Sequence, residues 1–228
     1  MMISEMFLAM CRTSPAVKKN LWKGMYQAFA LYTRNIEGKS VLEVGSGRGG
    51  GSNYIKRYLK PKKIVGVDLS SKAVKLCNKN YAGDGLSYIC GDAENLEFED
   101  ESFDVVLNVE SSHCYSAMPS FLSEVKRVLK KGGFFLFADL RDHDKMDILY
   151  KQLESTGMNF IKEKNITPNI VEALNTDSNR RLEGIKAFTL SRLFKEPFKE
   201  FAGVKGTKCY EWFRTGEVVY KSFVLQKV

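Results

Sequence analysis

The sequence predicts an α/β fold in which a mostly parallel sheet carries helices on both faces. Between Val41 and Leu140, short apolar strand patterns alternate strictly with helical ones. The first strand runs into a glycine-rich turn, Gly45-Ser46-Gly47-Arg48-Gly49-Gly50-Gly51. Polar side chains then recur at or near the carboxyl ends of successive strands: Glu43, Asp68, Asp92 and Asn108. That edge is where open α/β sheets hold their ligands.

Residues 1–35 read as helical, with Met6, Met10, Leu21, Met25, Phe29 and Leu31 at apolar positions and a break at Pro15. They are expected to form a lid over an apolar substrate, with Trp22, Tyr26, Phe29 and Tyr32; the alternative for these aromatics, at helical spacing, is a place in the core. Val41–Val44 is the first strand, Asn53–Leu59 a helix stopped by Pro61, and Lys63–Asp68 the second strand. A helix over Ser71–Asn80, strands over Leu86–Gly91 and Phe103–Val109, a helix over Ser120–Lys130 and a strand over Gly133–Leu140 complete a core spanning 36–140. Past Leu140 the alternation lapses. Helices are expected over Asp144–Thr156 and Ile170–Leu190 in an inserted cap, 141–196, between the fifth and sixth strands. Glu200–Val204 and Val218–Leu225 read as closing strands six and seven, within 197–228.

The chain has 228 residues, 44% of them hydrophobic and 27% charged, enough for a single domain, 1–228, with a full core. No stretch approaches the ~20 apolar residues that span a bilayer. The apolar start lacks the early positive charge of a secretory signal. The net charge of +8 is spread along the chain. It predicts a solvated basic surface, with peripheral membrane contact possible in principle and no nucleic-acid partner expected. Five scattered cysteines and two histidines, His113 and His143, offer no metal-ligand spacing, so no metal is expected. Reduced thiols fit a cytoplasmic monomer or homodimer.

The glycines let backbone N–H groups approach a ligand closely. Read literally, Gly45-x-Gly47-x-x-Gly50 also fits a dinucleotide fingerprint, which leaves an NAD-linked oxidoreductase open. Glu43 favours another ligand. An acid two residues before the first glycine repels a pyrophosphate but suits the cationic amino group of S-adenosylmethionine. Asp68 ends its strand where a carboxylate accepts bonds from ribose hydroxyls; its alternative role is to cap the following helix. Asp92 is placed for the adenine amino group and the Ala93 N–H for a ring nitrogen. Leu69, Ser46, Gly49 and Asn108 complete the expected cofactor set, with S-adenosylhomocysteine as the product.

From Ile36 to Leu140 the chain resembles the class I methyltransferase superfamily. The resemblance rests on Glu43-Val-Gly-Ser-Gly-Arg-Gly49, Val65-Gly-Val-Asp68, Gly91-Asp-Ala-Glu-Asn-Leu96, Phe103-Asp-Val-Val-Leu-Asn108 and Leu129-Lys-Lys-Gly-Gly133. Asn108-Val-Glu-Ser-Ser-His-Cys-Tyr115 and Ala138-Asp-Leu-Arg141 are similar to the phthiotriol/phenolphthiotriol dimycocerosate methyltransferases, which act on lipid hydroxyls. The resemblance implies a Rossmann-like, seven-stranded, mostly parallel sheet with the seventh strand antiparallel, and methyl transfer to a hydroxyl of a small molecule or lipid. Methyl transfer to a nucleic acid is the other alternative, but no Asn/Asp-Pro-Pro-aromatic tetrapeptide follows the fourth strand.

A hydroxyl nucleophile gains from losing its proton as the new bond forms, and an imidazole titrates in the useful range. His113 is therefore the expected general base. Asp139 is expected to orient it or take the proton itself. Glu110 is a third candidate, for the proton or for ordering the loop. Cys114, next to His113, reads as an inert thiol because methyl transfer needs no covalent enzyme intermediate.

Overall fold

The computed structural model describes residues 36–188 and 195–228. The expected lid, 1–35, lies outside them, as does the end of the expected Ile170–Leu190 helix. Seven strands form one sheet in the order β3-β2-β1-β4-β5-β7-β6. They are β1 (Ser40–Val44), β2 (Lys63–Asp68), β3 (Leu86–Cys90), β4 (Phe103–Val109), β5 (Leu129–Asp142), β6 (Asn159–Asn165) and β7 (Val218–Gln226). The pairs β3-β2, β2-β1, β1-β4 and β4-β5 are parallel, whereas β7 runs antiparallel to both β5 and β6. Strand order reverses at β1 and β4. Their carboxyl ends therefore open the crevice in which such sheets bind ligands.

The central strands are buried on both faces, which is why β1 and β4 read as nearly continuous apolar runs. On one face pack α1 (Gly50–Leu59) and α2 (Ser71–Tyr81), through Ile55, Val74 and Cys77 against Val41, Ile64 and Val105. On the other pack α3 (Met118–Val128) and α4 (Met146–Glu154), through Phe121, Leu122, Val125, Leu149 and Leu153 against Leu42, Val106, Phe135 and Phe137. Phe121 is fully buried, edge-on to Tyr115 at 4.9 Å and to Phe135 at 6.0 Å, and Phe135 stacks on Phe137 at 5.4 Å.

Two side chains tie β3 to the rest. The Asn78 amide bonds both backbone groups of Tyr88, donating at 2.7 Å and accepting at 3.1 Å. Tyr88 then crosses Gly66, where an added Cβ would lie 2.6 Å from its ring, and donates its hydroxyl to the Gly49 carbonyl at 2.8 Å. The glycine in the middle of β2 is thus a passage through which the neighbouring strand supports the loop.

The sixth strand corrects the sequence reading. Glu200–Val204 is not a strand: α6 (Lys195–Phe201) occupies its start and a turn follows. Glu200 instead accepts the Cys209 and Lys208 N–H groups at 2.6 and 3.1 Å and helps start α7 (Lys208–Thr215). The true β6, Asn159–Asn165, lies in the stretch assigned to the insertion. All its residues are exposed, so it carries no alternation of apolar and polar positions. Charged Lys162, Glu163 and Lys164 are what an edge strand tolerates. The insertion accordingly falls between β6 and β7, as α5 (Thr167–Phe188), α6 and α7. It packs on the α1 and α2 face through Ile170, Leu174, Tyr210 and Phe213.

No helix among the described residues is long and apolar enough to cross a membrane. Removing the ring of Phe121 (Phe121→Ala) is expected to cost roughly 3–5 kcal/mol. Thermal unfolding should show a fall in Tm of about 10 °C, and a change of a degree or less would contradict the packing described.

Candidate active site

The glycine loop is built for close approach. Gly45, Gly47 and Gly49 have φ of 75°, 54° and 74°, in the left-handed region that disfavours a side chain. Gly45 has no room for one either. A Cβ there would sit 2.2 Å from the Ser111 hydroxyl, which is itself held by the Asn108 amide at 2.8 Å and the Tyr115 hydroxyl at 2.9 Å. Asp68, at the end of β2, accepts the Gly47 N–H at 2.8 Å with one oxygen and the Ser70 N–H at 2.9 Å with the other. It shapes the loop and keeps its remaining lone pairs for a ligand. It does not cap α2; Ser70 does, accepting the Ala73 N–H.

The remaining cofactor candidates divide. Glu43 is buried and receives the Ser52 hydroxyl, so it faces the first turn of α1 behind the loop. Its charge raises the Cys77 and Tyr88 side chains, second to their burial in the Tyr88 case, and third after burial and Asp68 for Cys77. Asn108 is fully buried: its amide nitrogen lies within 3.0 Å of the Val44 carbonyl, Ser111 and Tyr115. Its carbonyl oxygen and the Ser46 hydroxyl are buried without a hydrogen-bond partner among the described residues. Asp92 is exposed and turns back on the Glu94 N–H, while Ala93 is buried. Leu69, beside Asp68, is 75% exposed. A carboxylate, a bare apolar side chain and unpaired buried polar atoms around a glycine loop are the donor set that a nucleoside with an amino-acid tail requires. The residues fit S-adenosylmethionine.

At the ends of β4 and β5 the three catalytic candidates come together. A 3-10 turn, Ser112–Cys114, carries His113. Its Nδ1 lies 2.7 Å from Asp139 Oδ1, and its backbone N–H donates to Asp139 Oδ2 at 2.9 Å. Asp139 also receives the Ser112 hydroxyl at 2.6 Å and the Leu140 N–H at 2.8 Å, and Arg141 Nη1 lies at 3.2 Å. The carboxylate has no exposed surface and is saturated by protein donors. His113 Nε2 is the opposite case, buried with no partner among the described residues.

The charges follow from this geometry. Burial opposes a charged imidazole, but the adjacent Asp139 carboxylate outweighs it and raises His113 to about 10. Burial would raise Asp139; the His113 charge, with Arg141 and Ser112, holds it well below the usual carboxylate range instead. Glu110 has φ of 53°, rare outside glycine, and burial pushes its carboxyl up to about 8 within reach of the Tyr220 hydroxyl. Cys114 is exposed beside His113.

Two contributors were not among the expected site residues. Glu94 receives Ser116 N–H and Ala117 N–H, both at 2.8 Å, fixing the loop between the His113 turn and α3. Arg141 joins Asp139 to Ser112, donating to the Ser112 hydroxyl at 2.8 Å. The signal for Arg141 was available: on a strand, i and i+2 share a face.

The Methyltransferase domain family matches residues 42–137. The phthiotriol/phenolphthiotriol dimycocerosates methyltransferase of Mycobacterium tuberculosis is 38% identical over 193 residues, covering 85% of this chain and 71% of the relative. The fatty-acid O-methyltransferase of Mycolicibacterium smegmatis is 33% identical, covering 85% and 69%. Among solved structures, a putative sarcosine dimethylglycine methyltransferase from Galdieria sulphuraria superimposes with a TM-score of 0.76 at 16% identity, over 90% of this chain and 84% of the other.

Two outcomes test the site. Gly45→Ala imposes a left-handed alanine, at about 1–2 kcal/mol, and a clash. It should weaken S-adenosylhomocysteine binding at least tenfold by calorimetry, and wild-type affinity would contradict the loop geometry. Because the folded state raises His113 above its ordinary 6.5, the pair stabilises fully below that value and its contribution fades toward about pH 10. The Tm gap between wild type and His113→Gln should therefore narrow on going from pH 6 to pH 10. A gap that widens would reverse the assigned charges.

Proposed function

Since the chain belongs to the class I S-adenosylmethionine-dependent methyltransferases, we propose that it methylates a hydroxyl oxygen of a small molecule or lipid, with His113 as general base. One observation carries the base assignment: a histidine locked through Nδ1 on a saturated carboxylate, with its Nε2 buried and without a hydrogen-bond partner among the described residues. The bound cofactor supplies an electrophilic methyl group. The protein then has to hold the acceptor oxygen in line, exclude water and receive one proton.

Asp139 fixes the Nδ1–H tautomer, so Nε2 is the acceptor atom, and its charge compensates the imidazolium that forms. Glu110, its carboxyl raised by burial, bonds the acceptor or holds the loop through Tyr220 in this reading. The α5–α7 insertion supplies acceptor contacts as a cap. Supporting this, Arg181 of α5 is close enough to affect the Glu110 charge. The relatives act, by their names, on dimycocerosate lipids and on fatty acids. A long-chain hydroxylated lipid is the acceptor class this reading selects.

The raised His113 favours a second reading as well. The Asp139 carboxylate favours the cationic form of the ring, and a cation suits a carboxylate acceptor, which needs no base. The two readings have opposite pH dependences. Transfer to a hydroxyl needs neutral His113 and should rise with pH, about tenfold per unit below the ring's midpoint. Transfer to a carboxylate uses the imidazolium and should fall as pH climbs toward 10.

A radiolabelled S-adenosylmethionine assay, with a long-chain secondary alcohol and a fatty acid of equal length as acceptors, decides between them. His113→Asn should lower kcat for the alcohol by roughly 10²–10⁴-fold and abolish its rising pH limb. Unchanged turnover in that variant would remove His113 from the mechanism.

A further inference from the structure

His113 poses a problem of degree. A fully buried carboxylate against an imidazole stabilises the imidazolium, and a ring held too firmly in that form has little capacity to accept a proton at neutral pH. The charged and titratable groups facing His113 among the described residues are Asp139 and Arg141 on β5, Cys114 in its own turn, and Glu110 at the end of β4. Glu110 in turn faces Tyr220 on β7 and Arg181 on α5.

Arg141 stands apart in this set because it bonds both supports of the histidine. Its Nη1 lies 3.2 Å from Asp139 Oδ2, on the oxygen that does not face the imidazole Nδ1. Its Nη2 donates to the Ser112 hydroxyl at 2.8 Å, and that hydroxyl donates onward to the same Oδ2 at 2.6 Å. The guanidinium is itself tethered by the Leu140 carbonyl at 2.7 Å, with its side chain only 13% exposed. A permanent positive charge therefore shares the carboxylate with the histidine, in a setting that screens it weakly.

We propose that Arg141 is a positioning residue that acts through Asp139 and Ser112 to set the pH range in which His113 Nε2 can receive a proton. By drawing on the Asp139 charge it loosens the hold on the imidazolium, and by holding Ser112 it fixes the turn that carries the ring. Its effect on turnover rests on the reading of His113 as the base; its effect on the ring's titration does not.

The chain has only two histidines, His113 and His143, so each ring can be followed by carbon–proton NMR, with His143→Gln giving the assignment. Titrations would use the full chain with S-adenosylhomocysteine added. Arg141→Met, which keeps an apolar stem and loses the charge, should move the His113 midpoint upward by about one pH unit. Arg141→Lys should stay close to wild type. Ser112→Ala, which cuts the link without touching the charge, should produce a smaller upward shift and serves if Arg141→Met does not fold. A purely structural role would lower stability in these variants with no ordered change in midpoint. His113 midpoints that are the same in wild type and in the folded variants among these would overturn the proposal. That result is separate from failure of the base assignment, which shows as undiminished alcohol methylation by His113→Asn whatever the ring's titration does.

Discussion

A carboxylate with no access to solvent has to be compensated from within the protein, and the arrangement around Asp139 is the form that compensation takes here. Its donors come from two neighbouring strand ends: the His113 ring and backbone, the Ser112 hydroxyl, the Leu140 N–H and the Arg141 guanidinium. They can converge only because β4 and β5 are parallel and in register, Val109 opposite Ala138, so the turn after one strand meets the end of the other. The same register fixes Asn108, whose amide holds Ser111 under Gly45 and so joins the end of β4 to the glycine loop.

The cofactor side is maintained by a different means. There the supports are backbone conformations and close contacts more than charge pairs: three left-handed glycines, a tyrosine passing over Gly66 to the Gly49 carbonyl, and Asp68 bridging Gly47 to Ser70. Methyl transfer makes modest electrostatic demands on the protein, since the donor arrives already activated. A glycine cradle held by shape on one side and a compensated buried carboxylate on the other divide the crevice between shape and charge.

The core of this architecture was legible in the residues. β2 and β4 coincide with their expected limits because apolar runs bounded by turn residues leave little choice of register. The gathering of Glu43, Asp68, Asp92 and Asn108 at one edge followed from strand direction alone. Side-chain direction was not legible. Glu43 receives the Ser52 hydroxyl and Asp92 the Glu94 N–H, partners that depend on local packing. β6 escaped because an exposed edge strand has no buried face to impose a pattern, and its backbone partners on β7 lie about sixty residues away. The nearby Glu200–Val204 stretch reads as strand-like by composition, yet Glu200 is spent on the start of α7.

The displaced sixth strand changes how the insertion should be regarded. Asn165 pairs with Lys221, the Ile166 N–H donates to the Tyr220 carbonyl at 2.9 Å, and the Tyr220 N–H returns to the Thr167 hydroxyl at 2.8 Å. The chain thus leaves the sheet and re-enters it on adjacent strands. A detour anchored in this way can lengthen, shorten or be replaced with little change in closure entropy. The strand frame and the α5–α7 detour are then separable units of inheritance. A segment exchanged between Asn165 and Val218 would leave the pairing of β5, β7 and β6 unchanged.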